Sequence, residues 1–565
     1  MADARIPFTD VRAVKLRSYL KGPSALLHAL LLLVGAIHAL AFAPYPLPAW
    51  ALPYVQIACL AFLVRHTLQA NSGRAVALHA ILFGFSQFAV GLYWLYISMH
   101  EYGGMPLAMA IAAVLLFALA LSLYGMLACL LSWRLLRGRL QPDPGVVTGA
   151  AAVWASCWTL GEWLRGTLFT GFPWLNIGYA HVEGPLAPWA AIVGVYGVAW
   201  LAAFAAAAVA LMVMGRNTGR DVQAATALAI SLLTGIAGIA LSHVSWSRPY
   251  GDPILVRLVQ GNIPQSEKFD PELIERGIAD YLMLSRVAPK EAGKEPDITV
   301  LPETVVPLLQ DRVHPQVWMS WLDVARERGT TLLMGVPLHD RIGGRDRYTN
   351  SAIAFGPDTS LEAIASAQLP LRYDKVHLVP FGEFVPAGFR WFVDAMTIPL
   401  GDFDRGELGQ PAMPIAGQMV APNICYEDVF GEEIIQSVRG DVAGGGASML
   451  VNVSNLAWFG NSWSLRQHLQ ISRMRSLETA RPMLRATNTG MTAAIAPDGV
   501  VRAVLQPHVK GVLDVEIQGT SGLTPYVRGS NLPVLLLCAL ALGIAMRPSR
   551  SNASKRPAST GRENR

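Results

Sequence analysis

Long apolar runs separated by short polar breaks fill the first 246 residues, after which the pattern changes character. At about 20 apolar residues per crossing, seven runs read as membrane spans: roughly 24–42, 49–64, 76–98, 105–133, 146–164, 187–214 and 225–246. An eighth falls at 531–546. The second and last are short, and the fourth is long enough to tilt or kink. Between them lies a globular pattern. Strands are predicted at 254–260, 298–301, 331–336, 351–356, 417–424 and 449–454, with helices at 271–287, 314–328 and about 462–480. Short strands follow at 483–489, 491–496, 500–505 and 511–515. Alternating β and α elements followed by a β meander predict a layered α/β domain. In such sheets, reactive side chains sit at the carboxyl ends of strands.

The expected organisation is therefore a cytoplasmic segment 1–23, a seven-helix membrane domain 24–246, a globular domain 247–530, a final helix 531–546 and a basic, disordered tail 547–565. Composition agrees with a large share of the chain in lipid. Of 565 residues, 52% are hydrophobic and 15% charged, where a soluble protein carries roughly a quarter. Mean hydropathy is +0.36. The net charge of +5 comes from basic residues beside apolar runs, which points to membrane topology and not to nucleic-acid binding. Lys15, Arg17 and Lys21 precede the first span, and Arg65, Arg74, Arg134, Arg137 and Arg139 follow even-numbered ones. Arg216, Arg220, Arg547 and Arg550 continue that alternation. The positive-inside rule then places both termini in the cytoplasm and the globular domain outside it, in the periplasm of a Gram-negative cell. The first run is too long for a signal peptide and is expected to be retained.

Four of five cysteines, Cys59, Cys129, Cys157 and Cys538, lie in apolar runs, so no disulfide framework is expected. Cys425 stands apart, in Asn423-Ile424-Cys425-Tyr426-Glu427-Asp428. Two other short motifs belong with it: Leu301-Pro302-Glu303 and Tyr373-Asp374-Lys375-Val376-His377-Leu378. A thiol, a carboxylate and an ammonium at strand-to-loop boundaries are the parts of a covalent acyl-transfer site. Glu303 is the candidate base for Cys425, and Lys375 the candidate stabiliser of thiolate and oxyanion. A helix N-terminus near Asp428 would lower the thiol pKa further. Glu383, in Phe381-Gly382-Glu383-Phe384, is placed to orient Lys375. His377 and His468 lack metal-ligand spacing, no nucleotide-binding glycine motif is present, and no cofactor is expected.

These motifs resemble the nitrilase superfamily, whose αββα sandwich carries a Glu-Lys-Cys triad. Together with the spans, the segments 259–265, 378–383, 424–427 and 457–460 resemble the apolipoprotein N-acyltransferase family over nearly the whole chain. The resemblance implies Glu303 as base, Lys375 as oxyanion stabiliser and Cys425 as nucleophile. Glu383, Tyr426 and Glu427 would support them. It implies transfer of an acyl chain from a membrane phospholipid, through a Cys425 thioester, to the α-amino group of a diacylglyceryl apolipoprotein, by an enzyme expected to be monomeric. Gly171, Phe172 and Trp174 match a family loop near the lipid entrance. Phe172, Trp174, Phe269, Asn350, Phe384 and Trp458 are the expected lipid- or substrate-binding residues, with Trp391 and Phe392 adding apolar lining. The segment 381–410 is the expected mobile arm. Three positions depart from the family pattern: Leu301 and Phe269, where Trp is usual, and Leu456, where Asp is usual. Two alternatives remain open on the residues alone: a membrane-anchored amidase or nitrilase acting on a small substrate, or a non-enzymatic transporter.

Overall fold

The computed structural model describes residues 23–42, 46–137, 146–215, 221–289, 293–386, 388, 390 and 402–547. Trp391, Phe392, most of segment 1–23 and nearly all of the basic tail lie outside the described residues, as do Arg216 and Arg220.

Apolar sequence folds first into helices: α1 Pro23–Ala39, α2 Leu52–Leu68, α3 Gly73–Gly91, α4 Leu107–Leu136, α5 Val146–Thr167, α6 Ala190–Gly215 and α7 Asp221–Leu241. Among the described residues, five segments are long and apolar enough to cross a bilayer: Ser24–Phe42, Ala49–Leu68, Gly73–Gly91, Leu107–Leu136 and Ala187–Met214. Ala225–Leu241 and Leu532–Met546 are shorter apolar helices. The fifth helix, α5, carries Glu162 and Arg165 in its last turns, which explains its lower apolar content.

The third expected span runs too far. Helix α3 stops at Gly91; residues 92–94 form a turn, and 95–102 form a separate short helical segment, α at Leu95–Ile97 and π at Ser98–Tyr102. Trp94 Nε1 donates to Gly91 O at 3.1 Å, so an aromatic side chain satisfies one of the carbonyls the helix leaves open.

The globular part is two stacked six-stranded sheets. Its strands are β1 Arg248–Gln260, β2 Ile298–Val300, β3 Thr331–Ile342, β4 Arg345–Phe355, β5 Arg372–Asp374, β6 Met413–Ile415, β7 Gln418–Ile424, β8 Met449–Ser454, β9 Met483–Thr487, β10 Ala493–Ile495, β11 Val501–Val504 and β12 Gly511–Ser521. One sheet has the order β12-β1-β2-β3-β4-β5, the other β11-β10-β9-β8-β7-β6. Each has a parallel centre, β1-β2-β3 and β7-β8-β9, with antiparallel flanks. Parallel strands buried on both faces explain the nearly continuous apolar runs at 298–301 and 449–453.

Period-two alternation sorts the side chains. Leu333, Ala352 and Ala354 point between the sheets, towards Val451, Val453 and Leu484. Leu332, Met334, Ile353 and Phe355 point the other way, under the helices α8 Ile274–Ser285 and α9 Pro315–Arg328. Pro315 at the first turn of α9 and Gly329 at its left-handed end (φ +61°) explain why that helix starts and stops there. Helix α10, Trp463–Thr479, covers the second sheet on the side that meets the membrane domain. The last helix, α11 Leu532–Met546, returns to pack on α5. The result is a four-layer αββα sandwich joined to a helical membrane domain.

The strand expectations were short at β4, which begins at Arg345, and at β12, which continues to Ser521. Polar positions in those extensions are paired across the ladder, with Arg345 opposite Ile342 and Arg248 opposite Ser521. A polar strand end therefore reads as loop in sequence.

Candidate active site

The three candidate groups leave the two sheets at corresponding ends. Glu303 lies three residues past β2, Lys375 directly follows β5, and Cys425 directly follows β7. The first two come from one sheet and the thiol from the other. Glu427 ties the halves together. Its Oε1 accepts from Val376 N (2.6 Å) and His377 N (3.1 Å), and its Oε2 from Ile424 N (2.6 Å). Tyr373 Oη donates to both oxygens at 3.0 Å. A single buried carboxylate thus bridges the loop after Lys375 and the residue before Cys425. Burial pushes its pKa up to about 7, although Lys375 and the main-chain N–H groups oppose that.

Lys375 is 1% exposed. Its Nζ donates to Glu383 Oε1 at 2.8 Å and lies 3.6 Å from Glu303 Oε1. Burial pulls the ammonium down, but Glu383 and Glu303 outweigh it and hold Lys375 above the ordinary lysine range. Asn350 Nδ2 donates to Glu303 Oε1 at 2.9 Å and to Glu383 Oε1 at 2.6 Å. Glu303 Oε2 accepts from Asn455 N at 2.9 Å, and Glu383 Oε2 from Val379 N at 2.8 Å. Both carboxylates are therefore held by fixed donors as well as by Lys375.

Cys425 has φ +54°, and Thr304 beside Glu303 has the same value. Left-handed backbone at residues other than glycine costs on the order of 1–3 kcal/mol and persists where surrounding structure enforces it. Here Asn452 Nδ2 donates to Cys425 O at 3.1 Å and Glu427 fixes Ile424 N. At Gly335 on β3, an added Cβ would lie 2.6 Å from Glu303 Cα, so only glycine lets β3 approach this turn.

The expected helix N-terminus at Cys425 is not there. Residues Cys425–Val429 form a 3-10 turn. Burial pushes the thiol well above its ordinary range, Glu303 adds to that, and Lys375 only partly offsets it. The buried thiol therefore resists ionisation.

Beneath this turn, Asp428 accepts from His468 Nε2 (2.6 Å) and Arg485 Nη1 (3.1 Å), and from Ser472 Oγ, all fully buried. Burial raises the Asp428 carboxyl, but His468 and Arg485 outweigh it and leave it below the usual range.

The aromatic loop meets the Cys425 turn. Tyr426 stacks on Trp174 and Phe172, each with centroids 6.3 Å apart, and donates to Gly171 O at 3.2 Å. Phe172 also meets Phe117 at 5.1 Å. Trp174 is 3% exposed, and its Nε1 donates to Gln467 Oε1 at 2.8 Å, so it is packed into the domain junction. Buried Arg165 braces this loop, donating to Phe172 O and Trp174 O, each at 2.6 Å, while paired with Glu162 at 3.3 Å. A second aromatic group joins Phe269, Trp458 and Tyr102, with centroid distances of 6.3 and 6.1 Å. Phe384 lies under Arg405, 5.2 Å from the guanidinium carbon. Leu456 is buried with its Cδ1 against Gly490, so apolar packing fills the place of the usual Asp.

Sequence reasoning passed over Asn455, Gly335 and Lys268. Asn455 sits inside a stretch already singled out. Gly335 looks like any strand glycine. Lys268 follows the segment 259–265 but reads as a surface residue of a short polar helix. Among the described residues no group of three or more His, Cys, Asp or Glu side chains is placed to hold a metal ion.

Comparisons with known proteins agree with this architecture. Residues 34–208 match the apolipoprotein N-acyltransferase N-terminal domain, and residues 255–526 the carbon-nitrogen hydrolase family. The apolipoprotein N-acyltransferase of Bordetella bronchiseptica is 50% identical over 92% of this chain and 97% of its own length. That of Ralstonia nicotianae is 46% identical over 90% and 92%. A solved nitrilase-superfamily amidase from Nesterenkonia AN1 aligns with 50% of this chain and 95% of its own, at 18% identity and a TM-score of 0.33. The amidase and transporter alternatives have no counterpart among these relatives that span the whole chain. Two family models in tandem, full-length relatives at up to 50% identity and a nitrilase-like sandwich on a membrane domain lead to one conclusion: the chain is an acyltransferase and belongs to the apolipoprotein N-acyltransferase family.

Proposed function

We propose that this enzyme moves a fatty acyl chain from a membrane phospholipid to the α-amino group of a diacylglyceryl-cysteine at an apolipoprotein N-terminus, in two half-reactions through Cys425. In the first, Glu303 takes the thiol proton as Sγ attacks the ester carbonyl. The tetrahedral oxyanion forms beside Lys375, the C–O bond breaks, and Glu303 returns the proton to the departing lysophospholipid oxygen. In the second, the amine attacks the thioester, Glu303 accepts its proton, the C–S bond breaks, and the proton goes to sulfur. Glu383 and Asn350 orient Lys375 and Glu303, and Glu427 sets the Cys425 turn.

The observation that carries this reading is the convergence of Glu303, Lys375 and the Cys425 turn beside an aromatic junction with the membrane domain. A neutral thiol requires a base in the same step, which Glu303 supplies. Phe172 and Tyr426, backed by buried Trp174, on one side, and Phe269 and Trp458 on the other, present apolar surface to acyl chains and keep water from the thioester. Phe384 lies at the start of the segment 381–410, the arm that admits the second lipid. The alternation of basic exits supports an inner-membrane protein with cytoplasmic termini and a periplasmic catalytic domain. All three reacting groups come from one chain, which suits a monomer.

Intact mass after incubation with phospholipid tests this directly. The wild type should gain one acyl unit, removable by neutral hydroxylamine and absent in Cys425→Ala. A diacylglyceryl lipopeptide should discharge it into an N-acylated product. No adduct on a folded protein would overturn the phospholipid donor.

A further inference from the structure

Lys268 is a buried cation beside Glu303 that the acyl-transfer steps leave unused. Lys268 is 4% exposed, on the turn Gln265–Lys268 that follows β1. Its Nζ donates to the main-chain O of Glu303 at 2.9 Å. Among the described residues no carboxylate oxygen lies within 4.0 Å of it, whereas buried Arg165 and Arg485 each have such a partner. An ammonium buried without a carboxylate is costly and marks a site where charge has a use. Glu303 is already held through both carboxylate oxygens, by Asn350 and Asn455. Lys268 adds the hold on its backbone, next to the left-handed Thr304.

We infer that Lys268 is a positioning residue for Glu303 and a second active-site cation, set against the negative charge that Glu303 and a Cys425 thiolate carry during acyl transfer. The ammonium meets the Glu303 main chain and feels the charges of Glu303 and Cys425; Lys375 and Glu383 adjoin the Glu303 carboxylate through the Lys375 pair, and Glu267 lies on its own turn. Its neighbours Gln265 and Asn455 are neutral and bonded to each other at 3.0 Å. Burial brings its pKa down to about 7, and the charges of Glu303 and Cys425 resist that fall. Its positive charge is therefore present below about pH 7 and fades above it.

This inference rests on the proposed Glu303–Cys425 chemistry, so its test avoids the acyl donor. Alkylation of Cys425 by iodoacetamide, followed by intact mass between pH 6 and 9, reads thiolate formation without phospholipid. Cys59, Cys129, Cys157 and Cys538 are buried. Lys268→Met keeps the length of the side chain and removes the charge. Alkylation should slow about tenfold at pH 6–7, equivalent to one pKa unit of lost stabilisation. The difference should shrink above pH 8, and Lys268→Arg should restore most of the rate. The melting midpoint should hold or rise, because an apolar isostere replaces an unpaired buried charge. Equal alkylation in Met variant and wild type would overturn the inference. So would a slowing that is constant across pH, which is the mark of a merely structural role. Lys268→Gln serves as the second neutral variant if the Met variant does not fold. A wild type that alkylates as expected but forms no acyl adduct would refute the proposed donor and leave the Lys268 result standing.

Discussion

The two domains bury charge in opposite ways. In the catalytic domain, carboxylates outnumber cations around Cys425, and each is held by several fixed donors: Glu427 by three main-chain N–H groups and Tyr373, Glu303 by two asparagines, Glu383 by Lys375, Asn350 and Val379 N. In the membrane helices, the ion pair among the described residues is Glu162–Arg165, and its role is to hold the carbonyls of Phe172 and Trp174. One region gathers charge around the proposed reacting groups and tolerates a strained, electrostatically costly turn. The other uses a single pair to shape an apolar wall. Among the described residues both regions thus place buried charge beside the Cys425 turn, while the catalytic domain also buries Arg257–Asp514 between β1 and β12, where it serves the sheet.

The comparison breaks most sharply at the reacting groups. Cys425→Ala should abolish acyl transfer. Glu303→Gln should lower it about 10³-fold, within the range of a lost general base. Single-turnover acylation measures both. If the Gln variant retained wild-type rates, the charge around Cys425 would be structural, and the two domains would not differ in kind.

Removing the membrane-domain cation comes next. Arg165→Met strands Glu162 and frees two carbonyls, and breaking a buried pair costs about 3–5 kcal/mol. Thermal inactivation in detergent should show that loss. The double change Glu162→Gln with Arg165→Met should recover much of it, while acceptor turnover stays impaired because the Phe172–Trp174 wall remains unbraced. Full recovery of turnover would mean that the wall does not depend on the pair.

How much of this was legible in the chain depends on what each residue's signal is local to. The triad stood out because Glu303, Lys375 and Cys425 each sit in a short motif at a strand end, where local sequence and chemistry coincide. A layered α/β domain followed from apolar strands alternating with helices, while the αββα arrangement came from the likeness of the motifs to the nitrilase superfamily. What did not follow was set by distant contacts. Gly335 matters because Glu303 lies 2.6 Å from where a Cβ would be, a contact between separate strands. Lys268 and Asn455 bond Glu303, 35 and 152 residues away. The end of α3 at Gly91 was hidden because residues 92–97 are as apolar as a span, although the chain turns at 92–94, where Trp94 Nε1 bonds Gly91 O. The lowered thiol pKa expected at Cys425 failed for the same reason: burial and Glu303 outweigh Lys375, and sequence shows neither.

Glu427→Gln sharpens the catalytic side. Hydrogen bonds to a charged acceptor contribute about 1.5–3 kcal/mol each, and losing that charge should lower the acylation rate about 100-fold by loosening the Cys425 turn. Glu427 also separates activity from stability. With its pKa raised to about 7, the carboxylate clamp weakens as pH falls through 7, so acylation should decline there. The folded state holds this proton more tightly than the unfolded chain. Its contribution to stability therefore falls as pH rises from the ordinary carboxyl range towards 7. Rate and melting midpoint should move in opposite directions across that window, and the Gln variant should lose this feature from both.

Gly335→Ala probes packing with no change of charge. The new methyl must displace the Glu303 backbone or bend β3, and overpacking of this kind costs about 1–3 kcal/mol. We expect a tenfold or greater loss in acylation rate with a lower melting midpoint. A neutral outcome would show that the Glu303 turn is looser than its hydrogen bonds imply.

The smallest effect belongs to charge away from the nucleophile. Lys510 and Asp280 pair at 2.7 Å on the catalytic domain, with side chains 38% and 27% exposed. Water screens such pairs, and ordering two flexible side chains offsets most of the attraction, so they contribute about 0–1 kcal/mol. Lys510→Ala should change the melting midpoint little and leave acylation at wild-type rates. A loss of activity there would mean that electrostatics reach the site from the surface. Cys425 would then sense the net charge of the whole domain and not only the fixed groups around it.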